Sequence, residues 1–142
     1  MAKLQEALML KKLPVVFSSG AFGGFIEVLT YYIFSLTGIV AIFGMPAAPG
    51  WKPEMVYRPV VWGGLWGIVF LIPFLDELYI LKGIVLSILP TLAAWFIFIP
   101  GKMPVNMRPG LMALLLIVIQ NAIWGIVTVL MIKYFENTEI KQ

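Results

Sequence analysis

Residues 109–132, PGLMALLLIVIQNAIWGIVTVLMI, form an apolar run without a charged side chain. Its 24 residues exceed the length of about 20 that an α-helix needs to cross a bilayer. Long apolar runs also occupy positions 15–43, 59–75 and 83–101. Apolar residues follow one another without alternation, which favours helices over the strands of a membrane barrel. The sequence therefore predicts an all-α, polytopic integral membrane protein with four transmembrane helices.

The composition agrees with lipid as the main solvent. Of 142 residues, 61% are hydrophobic and 12% are charged, and the net charge is +3, whereas soluble domains carry about 25% charged residues. The absence of Cys and His excludes disulfides, thiolate zinc, His-ligated haem and His acid–base catalysis. No basic patch supports a nucleic-acid partner. We therefore expect no cofactor, no metal site and no enzymatic activity.

The charged residues and prolines set the expected boundaries. The helices are predicted at about 15–43, 56–75, 78–99 and 109–134. They form one transmembrane domain, 15–134, between an N-terminal arm or interfacial helix, 1–14, and a polar tail, 135–142. Leu75-Asp76-Glu77 is short enough to join helices two and three in a tight antiparallel hairpin. Pro90 predicts a kink near Leu86, since proline removes a helical hydrogen bond.

The distribution of Lys and Arg gives an orientation. Four crossings place both termini on the same side as the Asp76-Glu77 turn, and this side carries more Lys and Arg than the opposite side. Positive charge favours the cytoplasmic face. We expect a multi-pass protein of the bacterial inner membrane with both termini in the cytoplasm.

Short motifs recur in the two halves of the chain. The first half contains Met45-Pro46, Arg58-Pro59 and Trp66-Gly67-Ile68-Val69, and the second contains Met103-Pro104, Arg108-Pro109 and Trp124-Gly125-Ile126-Val127. A duplicated helical hairpin produces such a pattern. Chance matches between apolar segments produce it too, so both explanations stay open.

Glycine motifs with aliphatic or Trp neighbours also recur, as Leu65-Trp66-Gly67, Leu81-Lys82-Gly83 and Ile99-Pro100-Gly101. In these motifs, over roughly residues 58–127, the chain resembles uncharacterised small bacterial inner-membrane protein families with four helices and Trp-Gly-Leu/Ile motifs. The resemblance implies a four-helix fold and a membrane location. It implies no chemistry.

Small residues recur at helical spacing on three predicted helices. Such spacing places them on one face, where two backbones can approach closely. The partner helix is either in this chain or in another subunit. The residues are Gly20 and Gly24 on the first helix, Gly63 and Gly67 on the second, and Gly83, Ser87 and Thr91 on the third.

Aromatic and basic side chains cluster near the predicted helix ends. Trp and Tyr prefer the headgroup region of a bilayer, and Arg reaches it with its long side chain. We therefore expect a set of interface anchors next to the two longer loops. The set consists of Trp51, Tyr57, Arg58, Trp62 and Arg108.

Glu27 interrupts the first apolar run. A charge in mid-bilayer costs about 2.5–3.5 kcal/mol on insertion scales, so we expect a protonated carboxyl. Helical spacing places it on the face of Gly20 and Gly24, which turns it towards neighbouring helices. Polar residues of the fourth helix lie at a similar depth. The sequence thus predicts an intramembrane polar cluster of Glu27, Thr30, Tyr31, Gln120 and Asn121.

Two functions are compatible with this cluster. If Glu27 is an interhelical hydrogen-bond clamp, the protein is a small non-catalytic accessory or structural subunit that packs against partner helices. If Glu27 is a proton or cation site, the protein is a small oligomeric transporter or channel. The expected partners are the lipid bilayer and either another membrane protein or further copies of the chain.

Overall fold

The computed structural model describes residues 2–102 and 108–139, and every regular element in this part of the chain is a helix. The all-α prediction is therefore confirmed for these residues. Three helices in this part are long and apolar enough to cross a membrane, over Leu10–Leu36, Tyr79–Gly101 and Leu111–Thr138. The predicted Met103-Pro104 motif and the last tail residues, 140–142, lie outside the described residues.

The helices follow one another with short connections. The first long helix, α1, is Ala2–Leu36 and is followed by the single turn α2, Ile39–Ile42. Helix α3, Pro53–Gly67, continues as a 3₁₀ helix over Ile68–Leu71. The next segment comprises α4, Tyr79–Leu86, then α5, Ile88–Ala93, a π-helical turn, Ala94–Phe98, and α6, Ile99–Lys102. The last helix, α7, is Leu111–Glu139.

Helix α1 differs from the prediction at both ends. It begins at Ala2 and passes through Pro14, so the predicted start at residue 15 is wrong. It stops at Leu36 because Gly38 adopts the left-handed conformation, φ 78°, that commonly ends helices. The predicted continuation to residue 43 is therefore wrong as well. Helix α7 runs to Glu139, beyond the predicted end at 134.

Helix α3 is shorter than the predicted 56–75. It begins at Pro53, which suits a first helical position because its missing N–H is not needed there. It tightens into the 3₁₀ helix after Gly67 and ends at Leu71. This segment is not among the three long apolar helices. Its 15 regular residues also include Glu54 and Arg58.

The apolar helix over Tyr79–Gly101 is broken where Pro90 predicts a kink. Helix α4 ends at Leu86 and α5 begins at Ile88, because Pro90 offers no N–H to the carbonyl of Leu86. Side chains complete the break: the Ser87 hydroxyl donates to the Ile84 carbonyl at 2.7 Å, and the Thr91 hydroxyl donates to the Ser87 carbonyl at 2.8 Å. The predicted kink is confirmed.

Helices two and three do not form the predicted hairpin. Helix α3 packs chiefly on α1, α1 also packs on α7, and α4 packs on α7. The reason is the placement of glycines, since Gly20 meets Gly63 between α1 and α3, and Gly83 meets Gly125 between α4 and α7. The connection 72–78 bridges the two outer helices, with Leu75 in a left-handed conformation.

The contacts define two ends of the bundle. At the termini end, Lys12 of α1 lies 3.8 Å from Glu136 of α7, next to the connection 72–78. The loop end contains segment 43–52 and the end of the π turn. A hydrophobic core lies between the two ends. It consists of Val16, Phe70, Leu86, Trp124, Val129 and Ile132.

Candidate functional site

Backbone contact between α1 and α3 fixes the wall of the site. A Cβ atom at Gly20 would collide with the Gly63 carbonyl oxygen, and one at Gly24 with the Pro59 carbonyl oxygen. Gly67 is as tightly placed against the Val16 carbonyl. Because no side chain separates these helices, they form one wall, and the side of this wall that faces α5 and α7 carries Trp62 and Trp66 of α3.

A partly open cavity of about 480 Å³ occupies that side, towards the loop end. Its walls come from α1, α3, α7 and the segment from α5 through the π turn. Arg58 and Met45 lie towards the loop end, and Trp124 lies towards the core. The other lining residues are Glu27, Tyr31, Pro59, Trp62, Gly63, Trp66, Pro90, Ala94, Phe98, Leu116, Ile117, Gln120 and Asn121.

Glu27 is the carboxyl of this cavity. It is half-buried, and among the described residues no hydrogen bond or ion pair reaches its carboxyl group. A second pocket, of about 150 Å³, lies beside segment 48–51 and is also lined by Glu27, Tyr31 and Pro59. Glu27 thus lies at the boundary of two spaces. The neighbouring Tyr31 is engaged elsewhere, since its hydroxyl donates to the Pro46 carbonyl at 2.8 Å.

Gln120 is the second polar group of the cavity without a partner. Its side chain is only 4% exposed, yet neither the amide nitrogen nor the amide oxygen has a hydrogen-bond partner. Asn121 is different, because its amide donates to the Ile117 carbonyl one turn earlier, at 3.0 Å. Buried polar groups are usually paired with protein or water. The Gln120 amide is therefore an unsatisfied group in the cavity wall, and its side chain must move slightly before a water or a ligand group reaches it.

The predicted polar cluster is brought together in part. Glu27, Tyr31, Gln120 and Asn121 line one cavity. They share this space without a hydrogen bond between Glu27 and either amide. Thr30 does not line the cavity, and its hydroxyl donates to the Ile26 carbonyl at 2.8 Å within its own helix.

Aromatic rings form much of the cavity wall. Trp62 packs edge-on against Phe98, with ring centroids 5.3 Å apart, and this contact joins α3 to the π turn. Trp124 is 2% exposed, and its indole N–H donates to the Gly20 carbonyl at 3.0 Å. Trp66 completes the tryptophan lining. These rings give the cavity a mostly apolar wall.

Sequence reasoning missed the role of Trp124, Trp66 and Phe98. A signal was present for Trp124, since it lies one helical turn after Gln120 and one turn before Thr128. Gln120, Trp124 and Thr128 are buried on the same face of α7. For Phe98 no comparable signal existed, because the π turn changes which face of the helix it occupies.

The predicted anchors divide into two groups. Trp51 and Tyr57 are each 52% exposed, and the ring of Trp51 packs at a tilt against that of Tyr32, with centroids 4.7 Å apart. Arg108 is also exposed. Arg58 and Trp62 are exposed as well, Trp62 by 48%, but they also line the cavity. Arg58 forms no ion pair with Glu27 although both face the same space.

The hydrophobic core closes the cavity towards the termini end. Trp124 belongs to both the cavity wall and the core, where its ring meets Phe70 edge-on at 5.8 Å. On the far side of the core lies a separate pocket of about 260 Å³, lined by Val16, Phe70, Val129 and Ile132 together with charged side chains. The two spaces are therefore separated by packed apolar side chains.

Charged groups at the termini end are paired with one another. Lys82 is 5% exposed, and its ammonium group donates to the Ile72 carbonyl at 2.8 Å and to the Asp76 carboxylate. This hydrogen bond holds the pKa of Asp76 below its usual value. Lys133 lies 3.2 Å from Glu136. The Lys82 contacts tie α4 to the connection 72–78, and the Lys133–Glu136 contact lies within α7.

The donor set around Glu27 does not resemble a metal centre. Among the described residues no group of three or more Asp, Glu, His or Cys side chains could hold a metal ion. What the cavity offers is one carboxyl, one guanidinium, a free amide and several aromatic faces.

Comparison of the chain with protein-family models, with curated proteins and with solved structures found no match.

Proposed function

We propose that this protein is a small membrane transporter that holds a proton or a cationic group at Glu27. One observation carries the proposal: a carboxyl group without a partner faces a cavity of about 480 Å³, together with the unpartnered amide of Gln120. Ionisable groups inside membrane helices are costly, and they typically mark ion or substrate pathways. A carboxyl kept only for structure is expected to have a hydrogen-bond partner.

The closed core favours a transporter over a channel. A channel needs a continuous polar path, whereas packed apolar residues around Trp124 and Phe70 separate the cavity from the pocket at the termini end. Access from the second side requires Trp124 to leave the Gly20 carbonyl. The helix break at Ser87, between α4 and α5, is a place where such a movement can occur.

The proposed topology has four crossings in a bacterial inner membrane, with both termini in the cytoplasm. It is supported by α3 and its 3₁₀ extension, which run antiparallel to α1 from the loop end to the termini end. Lys12, Lys82 and Lys133 at the termini end agree with a cytoplasmic face. The duplicated hairpin and the resemblance to small four-helix families belong to the same proposal. So does assembly into a homo-oligomer, because further copies of the chain can cover the apolar side chains exposed on its helices.

A second candidate function is a non-catalytic accessory subunit. It is favoured by the large apolar side chains exposed on every long helix, which either lipid or partner helices can cover. Examples are Ile33, Leu36, Phe96, Ile97, Leu111 and Leu115. Neither candidate involves a catalytic step. The small-residue faces are less available for a partner, because glycines of both helix pairs already pack against each other.

Flux measurements in vesicles test the proposal. The protein is reconstituted into phosphatidylglycerol vesicles, a potential is imposed with valinomycin, which itself carries K⁺, and entry of protons and Na⁺ is followed with trapped dyes. We expect flux of at least one of these cations, and we expect Glu27→Gln to abolish it because the amide cannot release a proton or carry charge. Glu54→Gln is the matched control, since Glu54 is exposed and does not line the cavity.

Absence of any flux that depends on Glu27 contradicts the transporter proposal. The accessory-subunit alternative predicts a different result, namely co-purification of the tagged protein with one membrane protein at constant stoichiometry. That complex should survive Glu27→Gln, because its contacts lie on the outer helix faces.

A further inference from the structure

We propose that the substrate of this cavity is a compact zwitterion with an apolar body. Its ammonium group binds at Glu27, its acidic group binds at Arg58, and its apolar part lies among Trp62, Trp66 and Trp124. This inference rests on the proposed transport function and names its substrate class. It follows from the charges, the rings and the volume of the cavity.

The charges are the first argument. Glu27 and Arg58 line the same space but do not pair, and neither has a hydrogen-bond partner among the described residues. Glu27 is half-buried and Arg58 is exposed at the loop end of the cavity, so the attraction to an opposite charge is stronger at Glu27 than at Arg58. A ligand that places an ammonium group against one and an acidic group against the other satisfies both. A simple cation would pair with Glu27 alone, and the positive charge of Arg58 would repel it.

The aromatic wall is the second argument. Three of the five Trp residues line the cavity, together with Tyr31 and Phe98. Aromatic faces attract ammonium groups and also bury the apolar body of a ligand. A fully hydrophilic zwitterion would leave these faces unused.

Gln120 is the third argument. Its amide carries one acceptor and two donors, all buried and without a partner. A ligand that bears both a donor and an acceptor can satisfy both ends of this amide. An ammonium group and an acidic group on one skeleton meet that condition.

The volume limits the size of the ligand. About 480 Å³ lies inside the range of about 300–1,000 Å³ that is typical of small-molecule sites. An amino acid with an aromatic side chain fits with space for water. The headgroup of a zwitterionic phospholipid has the same chemistry, with its acyl chains as the apolar body. A free solute and a lipid are therefore the two sources to be distinguished.

Binding experiments use two zwitterionic probes with different charge separation, L-phenylalanine and 4-(aminomethyl)benzoate. Phenethylamine and 3-phenylpropionate are matched to the first, and benzylamine and benzoate to the second, since each keeps the ring and loses one charge. The protein is held in phosphatidylglycerol nanodiscs, and tryptophan fluorescence reports binding because three of five Trp residues line the cavity. At least one zwitterion should bind about tenfold more tightly than its singly charged analogues, as expected for one additional charged hydrogen bond.

Two variants assign the charges. Arg58→Gln should remove the preference for the zwitterion over phenethylamine, and Glu27→Gln should remove the preference over 3-phenylpropionate. Lys52→Gln is the control, since Lys52 is an exposed basic residue at the loop end outside the cavity. Thermal melting of each variant checks that the fold is intact. The inference is overturned if neither zwitterion binds, or if Arg58→Gln leaves the preference unchanged.

A final experiment distinguishes a free solute from a lipid headgroup as the ligand, and it separates the ligand inference from the transport proposal. Phosphatidylethanolamine added to the nanodiscs should leave probe binding unchanged if the substrate is a free solute, and should compete if it is a lipid headgroup. Cation flux that depends on Glu27 without zwitterion binding overturns this inference and keeps the transport proposal. Zwitterion binding without flux overturns the transport proposal instead.

Discussion

Glu27 and Lys82 are both ionisable residues inside candidate membrane helices, and the structure treats them in opposite ways. The Lys82 ammonium group is buried but has two acceptors, the Ile72 carbonyl and the Asp76 carboxylate. The Glu27 carboxyl faces a cavity and has no partner among the described residues. A buried charge with its partners in place is part of the scaffold. One without them is available to a ligand.

The surroundings of the two residues explain the contrast. Lys82 lies near the end of its helix, where the connection 72–78 folds back and brings a carbonyl and a carboxylate within reach. Glu27 lies within α1 one turn after Gly24, whose Cβ position meets the Pro59 carbonyl of α3. Within the described residues no connection folds back onto the Glu27 carboxyl with a hydrogen-bonding group, as 72–78 does onto Lys82, and Glu27 lines an open space instead.

The largest expected effect concerns the glycine contact on which the cavity depends. Gly20→Leu should lower the stability in detergent by about 1–3 kcal/mol or more, because the new side chain meets backbone atoms of Gly63 and Gly67. Ser18→Leu, two residues earlier on an exposed face of the same helix, is the matched control and should change little. Equal melting temperatures for the two variants would show that α1 and α3 do not pack in this way.

The next effect concerns the paired charge. Asp76→Asn should destabilise the protein by about 1–3 kcal/mol, because the substitution leaves the buried Lys82 ammonium group with one strong acceptor. The effect should lie towards the lower end of this range, because Asp76 is solvent-exposed. Glu77→Gln is the control next to it, an exposed carboxyl with no ion pair among the described residues. Chemical or thermal unfolding in detergent measures both. If the two variants behave alike, Lys82 does not need Asp76.

The same pair predicts a pH dependence. The pKa of Asp76 is lowered in the folded protein by its hydrogen bond to Lys82, so the pair contributes stability above the ordinary Asp pKa of about 3.9. This contribution is lost as the pH falls through the lower, folded-state pKa. Melting temperatures recorded below about pH 5 should therefore decline more steeply for the wild type than for Asp76→Asn. Parallel curves would contradict the prediction.

The smallest effect is expected at the unpartnered charge. Glu27→Gln should change the stability by no more than about 0.5 kcal/mol, because no hydrogen bond or ion pair within the described residues is lost. Comparison of Glu27→Gln with Asp76→Asn shows whether the Glu27 carboxyl contributes less to stability than the Asp76 carboxyl does. A loss of stability larger than that of Asp76→Asn would identify Glu27 as a structural clamp.

Much of the site could be anticipated from local sequence. Glu27 and Gln120 are polar residues within long apolar runs, and both line the cavity. Arg58 was predicted as an interface anchor, because a basic residue at a helix end is typical of one; that it also lines the cavity was not anticipated. Its position on the cavity depends on how α3 is rotated against α1. That rotation follows from the contacts of Gly24 with Pro59 and Val60, which no local pattern specifies.

The sequence by itself determined the helical class, the three long apolar helices and the break before Pro90, because these depend on side-chain solvation and on backbone donors of nearby residues. Only the tertiary structure decided that α3 packs on α1 and α4 on α7, which refutes the expected hairpin. It also decided that Glu27 and Gln120 share a cavity without a hydrogen bond. Such outcomes depend on contacts between residues far apart in the chain, as between Gly20 and Trp124, where packing of whole helix faces outweighs any local preference.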